Sequence, residues 1–135
     1  MIMRRDKYTD LYGNFHRDEL AAGISNVKCA VIGDIMLDQF LYGSVDRISP
    51  EAPIPVVNIA EKTSSLGGAG NVAANIRAYG AQVYLCGVLG EDGAAARVIE
   101  LLDTLRIKSF GLQDNRHVTT TKTRVIGKKD RKSVV

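Results

Sequence analysis

Two carboxylates and a glycine cluster carry the chemistry that this sequence can be read for. Asp34 and Asp38 follow the apolar run at residues 29 to 33, and Gly67-Gly68-Ala69-Gly70 runs into Asn71-Val72-Ala73-Ala74-Asn75. Glycines at the start of a helix leave backbone amides bare, and such amides hold anions and hydroxyls. Asn71 adds a side-chain amide that both donates and accepts. Glycines needed only for close helix packing are the competing reading. A carboxylate beside such a cluster is a hydroxyl acceptor, and it rejects a ligand lacking the hydroxyl more strongly than an apolar wall does. Asp38 is the better placed of the two for this role, because the aspartate of a Gly-Asp pair commonly caps its own turn. Lys122 and Arg124 alternate along a run rich in threonine, so on a strand they share one face. There they would hold a phosphate, Arg as a fork and Lys as a point charge, or else stand as two solvated charges.

The elements that must position these residues follow from periodicity. Residues 27 to 33 form a short apolar run bounded by turn residues, which reads as a strand buried on both faces. Its carboxyl end is where ligands bind in open α/β sheets. Residues 40 to 43 extend the chain outward. Three prolines, Pro50, Pro53 and Pro55, precede Val56-Val57; proline donates nothing to a ladder, so this segment reads as an exposed hairpin or flap with any strand at an edge. A helix is expected over 71 to 79, with Val72, Ala73, Ile76 and Tyr79 on one face and Gly80 in the left-handed position that follows. A strand over 83 to 89, a helix opened by Asp92 and a strand near 107 to 110 complete a strand-helix alternation. That alternation is the signature of a parallel sheet joined by right-handed crossovers. A half-exposed strand over 118 to 126 should turn at Gly127 and resume at 131 to 135. Upstream, Tyr8, Leu11, Tyr12, Phe15 and Leu20 recur at mostly helical spacing, which predicts an amphipathic helix ended by Gly23.

Composition narrows the class further. The 135 residues, 45% hydrophobic and 24% charged, suit one globular domain. A net charge of +3, from 18 basic and 15 acidic residues, does not call for nucleic acid or an anionic membrane. The basic run at 128 to 132 reads better as a charged turn between strands than as a nucleic-acid patch. Cys29 and Cys86 each lie inside an apolar run, where free cysteine acts as a small hydrophobe. With only His16 and His117 beside them, no zinc pattern forms and no metal site is expected. No apolar stretch approaches the roughly 18 residues of a membrane span, so a reducing, cytoplasmic setting is expected. Gly68-x-Gly70-x-x-Ala73 satisfies a loose dinucleotide fingerprint with Asp92 as ribose carboxylate. However, that fingerprint belongs directly after the first strand, which here is followed by Asp34 and Asp38. An oxidoreductase domain is therefore the weaker alternative.

Taken in order, Gly33-Asp34-x-x-x-Asp38, the flap Arg47-Ile48-Ser49-Pro50-Glu51-Ala52-Pro53-Ile54-Pro55-Val56-Val57, and Gly67-Gly68-Ala69-Gly70-Asn71-Val72-Ala73 resemble the ribokinase-like (PfkB) carbohydrate kinases. Within them the likeness is to the group that phosphorylates heptose 7-phosphate for the lipopolysaccharide core, and it covers roughly residues 27 to 126. The resemblance implies an α/β ribokinase-like fold, its central mostly parallel sheet flanked by helices, with a small β lid formed by segments 40 to 60 and 118 to 135. Residues 1 to 26 are then an N-terminal helical extension to the N-terminal part of a kinase domain at 27 to 135. It implies that Asp38, Gly67, Gly68 and Asn71, with Asp34 a weaker candidate, line a sugar pocket, and that Lys122 and Arg124 meet the sugar's phosphate. It also implies ATP and Mg²⁺ as cofactors of the whole kinase and a homodimer joined through the lid. The family's Gly-Ala-Gly-Asp segment, which carries the catalytic base, and most of its nucleotide pocket and C-terminal half are not among these 135 residues. Accordingly no catalytic residue is expected here, and the chain alone is expected to lack kinase activity. A non-catalytic sugar-binding or dimerisation module is the second reading.

Overall fold

Apolar runs too short for helices, each followed by an amphipathic segment, fold here as strands with crossover helices. The computed structural model describes residues 23–128. Its elements are β1 (Lys28–Ile32), β2 (Ile35–Ile48), β3 (Pro55–Gly68), α1 (Ala69–Ala78), β4 (Gln82–Cys86), β5 (Val88–Leu89), α2 (Gly93–Thr104), β6 (Lys108–Ser109), β7 (Leu112–Gln113) and β8 (Thr121–Lys128). The expected helix over 6 to 22 and the strand at 131 to 135 lie outside the described residues. Gly23 does not end a helix: residues 23–25 are helical and the Val27 N–H donates to the Ile24 carbonyl at 3.0 Å.

A parallel sheet in the order β1-β4-β6 forms the base, and β5 pairs with β7 in parallel just beyond it. The apolar run expected as one strand over 83 to 89 is broken at Gly87. A Cβ there would press on Ile35, 2.7 Å away, so the glycine lets the turn after β1 lie against the sheet. Both helices cover one face of this sheet, where Val83, Leu85, Leu89, Val98, Leu102 and Ile107 form the core. At roughly 25 cal/mol per Å² of apolar area removed from water, this face holds the chain together. The other face is open among the described residues. Ile32 is 80% exposed, and Phe110, stacked on Tyr84 at 5.8 Å, is exposed as well. The expectation that the first strand is buried on both faces is therefore corrected: Lys28, Ala30 and Ile32 point away from the helices.

The helices begin and end where their sequence dictates. Asp92 caps α2, accepting from the Ala95 N–H at 2.8 Å. At its far end the Ile107 N–H reaches the Leu102 carbonyl (2.9 Å) and the Arg106 N–H that of Asp103 (3.0 Å), a Schellman closure that leaves Arg106 at φ +55°. α1 ends at Gly80, φ +98°, as expected. Its buried stripe is the expected one only in part: Ala73 is buried, with Gly70 beside it, and Ile76 packs against the core, whereas Val72 and Tyr79 are exposed, Tyr79 at 71%. The reason is backbone approach. A Cβ at Gly70 would sit 3.2 Å from that of Leu66, so the helix lies down on its smallest residues rather than its largest.

A second sheet, in the order β3-β2-β8, stands beside the first. β2 and β3 are antiparallel, from Ile35 opposite Gly68 to Ile48 opposite Pro55, and β8 runs parallel to β2 from Leu37 opposite Thr121 to Ser44 opposite Lys128. The expected flap at 49 to 57 is the tip of this much longer hairpin, and Pro55 opens the edge strand as proline requires. Gly127 is not a turn. It lies in β8 opposite Gly43, and a Cβ at either position would collide with Val45 or the Asn58 backbone. One face of this sheet buries Ile35, Leu37 and Leu66 in the core beneath the helices, and Arg97 of α2 donates to Ser64 of β3 at 2.8 Å. An open cleft of about 570 Å³, lined in part by Gln39, Lys62, Ser64 and Arg97, separates the two.

Candidate functional site

The opposite face of the second sheet gathers the residues singled out above. Strand alternation places Met36, Asp38, Phe40 and Tyr42 of β2 on that face, and the parallel register sets Lys122 beside Asp38 and Arg124 beside Phe40. Asp38 is therefore within a strand rather than in the loop after β1. Arg124 Nη1 lies 3.4 Å from Asp38 Oδ1, and the guanidinium stands over the Phe40 ring, 5.1 Å from its centroid. The Phe40 and Tyr42 rings are themselves stacked at 6.4 Å. Arg124 is thus held between a carboxylate and an aromatic face. Lys122 is exposed and makes no ion pair with another described residue.

The glycine cluster closes the site at the base of the hairpin. Gly67 is buried beside Asp38: a Cβ there would come within 3.0 Å of Oδ2 and closer still to Met36. Gly68 adopts φ +54°, ψ −132°, a conformation that side chains rarely take, and converts β3 into α1 in a single residue. No side chain caps this helix. The Ala69 N–H instead donates to the Asp34 carbonyl at 2.9 Å. Asp34 thus contributes its backbone to the turn, and its residue is exposed. Asn71 is exposed within the first turn of α1.

Asp38, Gly67 and Arg124 are brought into contact, with Lys122 on the same face. Asp34, Gly68 and Asn71 belong to the adjoining helix start. The sequence reading missed Phe40 and Tyr42, although their i, i+2 spacing from Asp38 would have shown them once residues 35 to 48 were taken as strand. The dinucleotide reading fares badly. The glycines follow an antiparallel edge strand, and both oxygens of Asp92 are occupied, by the N–H groups of Ala95 and Thr119. These donors, Thr119 foremost, hold the Asp92 carboxyl below the usual carboxylate range.

A parallel sheet backed by helices, with a mixed sheet beside it that ends in a glycine-initiated helix, is the architecture of a sugar kinase's N-terminal portion. The chain belongs to the pfkB family of carbohydrate kinases, whose family model matches residues 26–135. It is 45% identical over 108 residues to the D-beta-D-heptose 7-phosphate kinase of Bordetella bronchiseptica, covering 80% of this chain and 34% of that protein. To the bifunctional protein HldE of Rhodospirillum rubrum it is 47% identical over 108 residues, 78% of this chain and 22% of that protein. The chain thus spans about a fifth to a third of the curated relatives it matches. Among solved structures, a carbohydrate kinase from Agrobacterium tumefaciens aligns at a TM-score of 0.59 with 21% identity, over 73% of this chain and 31% of that one. The fructokinase of Halothermothrix orenii aligns at 0.54 with 24% identity, over 73% and 34%. At these identities the structures speak for the fold alone.

Kinases of this family use ATP with Mg²⁺. No three His, Cys, Asp or Glu side chains come together as a metal-ion cluster among the described residues. No helix among them is long and apolar enough to cross a membrane.

Proposed function

We propose that this chain forms the sugar-binding and lid portion of a kinase that phosphorylates O1 of D-glycero-D-manno-heptose 7-phosphate in the cytoplasm, on the route to ADP-heptose for the lipopolysaccharide core. The observation that carries the reading is the single face holding Asp38, Lys122 and Arg124 next to a glycine-started helix. One carboxylate and two cations on one surface suit a ligand with both hydroxyls and a phosphate. Asp38 accepts from a sugar hydroxyl, and Gly67 and Gly68, lacking Cβ atoms, let the sugar approach the backbone. Asn71 and the amides of the first α1 turn meet further hydroxyls, with Asp34 at the margin of the pocket. Lys122 and Arg124 take the 7-phosphate. ATP supplies the phosphoryl group to the whole enzyme, and the base that takes the O1 proton comes from outside the 135 residues. In this reading residues 1 to 26 are an N-terminal extension, and segments 40 to 60 and 118 to 135 form the lid. The exposed Ile48, Ile54, Ile59 and Val125 favour a homodimer through that lid.

Calorimetric titration of the folded chain with D-glycero-D-manno-heptose 7-phosphate tests this. Saturable binding is expected, weakened at least about tenfold by Asp38→Ala, the loss of a hydrogen bond to a charged group. Lys122→Ala combined with Arg124→Ala should lose the phosphorylated sugar selectively, and equal losses for phosphorylated and unphosphorylated heptose would refute the phosphate assignment. Because the Asp38–Arg124 pair is partly exposed, these changes should leave folding stability within about 1 kcal/mol. If the chain binds heptose 7-phosphate but a longer chain carrying the downstream segment fails to phosphorylate it, the second reading, a non-catalytic sugar-binding module, takes its place.

A further inference from the structure

We infer that Asp92 is a positioning residue: by holding Thr119 it sets the register in which β8 joins β2, and so decides which face Lys122 and Arg124 occupy. The consequence for ligand binding rests on the function proposed above; the anchoring does not. β8 is an edge strand running parallel to β2, so no tight hairpin turn fixes its alignment. Side chains alternate with a period of two, and a slip of one residue would carry both cations to the face that now holds Thr121 and Thr123. The close approach of Gly127 to Val45 opposes that slip at the far end of β8, and the near end is held before Thr121.

The stretch from 117 to 120 holds it. Asp92 divides its carboxylate between two tasks: Oδ1 accepts from the Ala95 N–H at 2.8 Å, and Oδ2 accepts from the Thr119 N–H at 2.8 Å. Thr119 is 3% exposed, and its Oγ1 accepts from the Gly90 N–H at 2.8 Å. Gly90 is where the chain passes closest. A Cβ on it would strike the His117 carbonyl and lie 2.7 Å from Asp92 Oδ2. One residue later the ladder begins, with the Leu37 N–H donating to the Thr120 carbonyl at 2.9 Å. Thr119 is therefore clamped to the core through backbone and side chain, and Lys122 follows three residues on. A carboxylate that served only as a helix cap would have no use for the second bond.

Asp92→Ser separates the two tasks in the full 135-residue chain, because a hydroxyl at that position still caps α2 but is too short to reach Thr119. Hydrogen exchange should show α2 amides protected as in the wild type, while β8 amides exchange at least about tenfold faster, the loss of one charge-assisted bond. Heptose 7-phosphate binding should weaken at least about tenfold, with unphosphorylated heptose changed less than about twofold, a split that general loosening would not give. β8 protection within about twofold of wild type, or equal loss for both sugars, would overturn the inference. Should Asp92→Ser fail to fold, Asp92→Asn, which keeps a single acceptor oxygen, is put to the same comparison. Faster β8 exchange in a variant whose wild type binds no sugar phosphate would sustain the anchor while rejecting the ligand reading.

Discussion

Gly68→Ala is expected to be among the most damaging single-methyl changes available to this chain. Gly68 sits at φ +54°, ψ −132°, and holding a side-chain residue in such a region costs about 1–3 kcal/mol. The new Cβ would also drive into the Asp34 carbonyl and lie 3.1 Å from Met36 Cε; backbone cannot swing aside as a side chain does, and such overpacking adds about 1–3 kcal/mol. The Asp34 carbonyl is the acceptor for the Ala69 N–H, so any shift that relieves the clash breaks the bond that starts α1. A total of about 2–6 kcal/mol, at roughly 3–4 °C per kcal/mol for a chain of this length, lowers Tm by about 6–24 °C. Gly93→Ala is the internal control. Nothing lies within 4 Å of its Cβ position and its φ is ordinary, so it should leave stability unchanged or raise it by up to about 1 kcal/mol. Thermal melting followed by far-UV circular dichroism decides the matter. A Gly68→Ala chain melting within about 2 °C of wild type would refute the argument that this turn requires glycine.

Arg106→Gly should raise stability by about 1 kcal/mol, since it relieves a side chain held at φ +55° in the Schellman closure of α2; urea denaturation measures it. Stability should also fall in acid. The carboxyls of Asp92, through the N–H groups of Thr119 and Ala95, and of Asp114, through Arg116, are held below their ordinary range. Groups with a depressed folded-state pKa stabilise fully above the unfolded value, and that contribution disappears as pH drops through the folded one. Melting temperature should therefore hold near neutrality and decline below the usual carboxylate range, with Asp92→Asn removing part of the decline.

The helices were legible because their signals are local. Asp92 marks one start and Gly80 one end, and Ala95, Val98 and Leu102 repeat at helical spacing. The long hairpin was not, because Glu61-Lys62-Thr63-Ser64-Ser65 in β3 has little apolar alternation: its residues are paired by β2 rather than buried. Val72 and Tyr79 misled for the opposite reason, since hydrophobicity put them on the buried face beside Ala73, where the small Gly70 lies instead. Of the site, residue types could be named one by one. The approach of Arg124 to Asp38, and the Phe40 ring beneath it, depend on a strand register for which neither segment carries a local signal.

That approach joins residues 86 positions apart. A contact so distant in the chain forms only after the large loop between its ends has closed, which makes it one of the slower events of folding. The helices and the β2–β3 hairpin can all be built while the cation-bearing strand is still free. The binding face therefore exists only once that strand has docked, and a ligand that grips both Asp38 and the β8 cations stabilises only the finished molecule, by an amount set by its concentration relative to Kd. For this chain, affinity for such a ligand is a direct reading of how many molecules have finished folding.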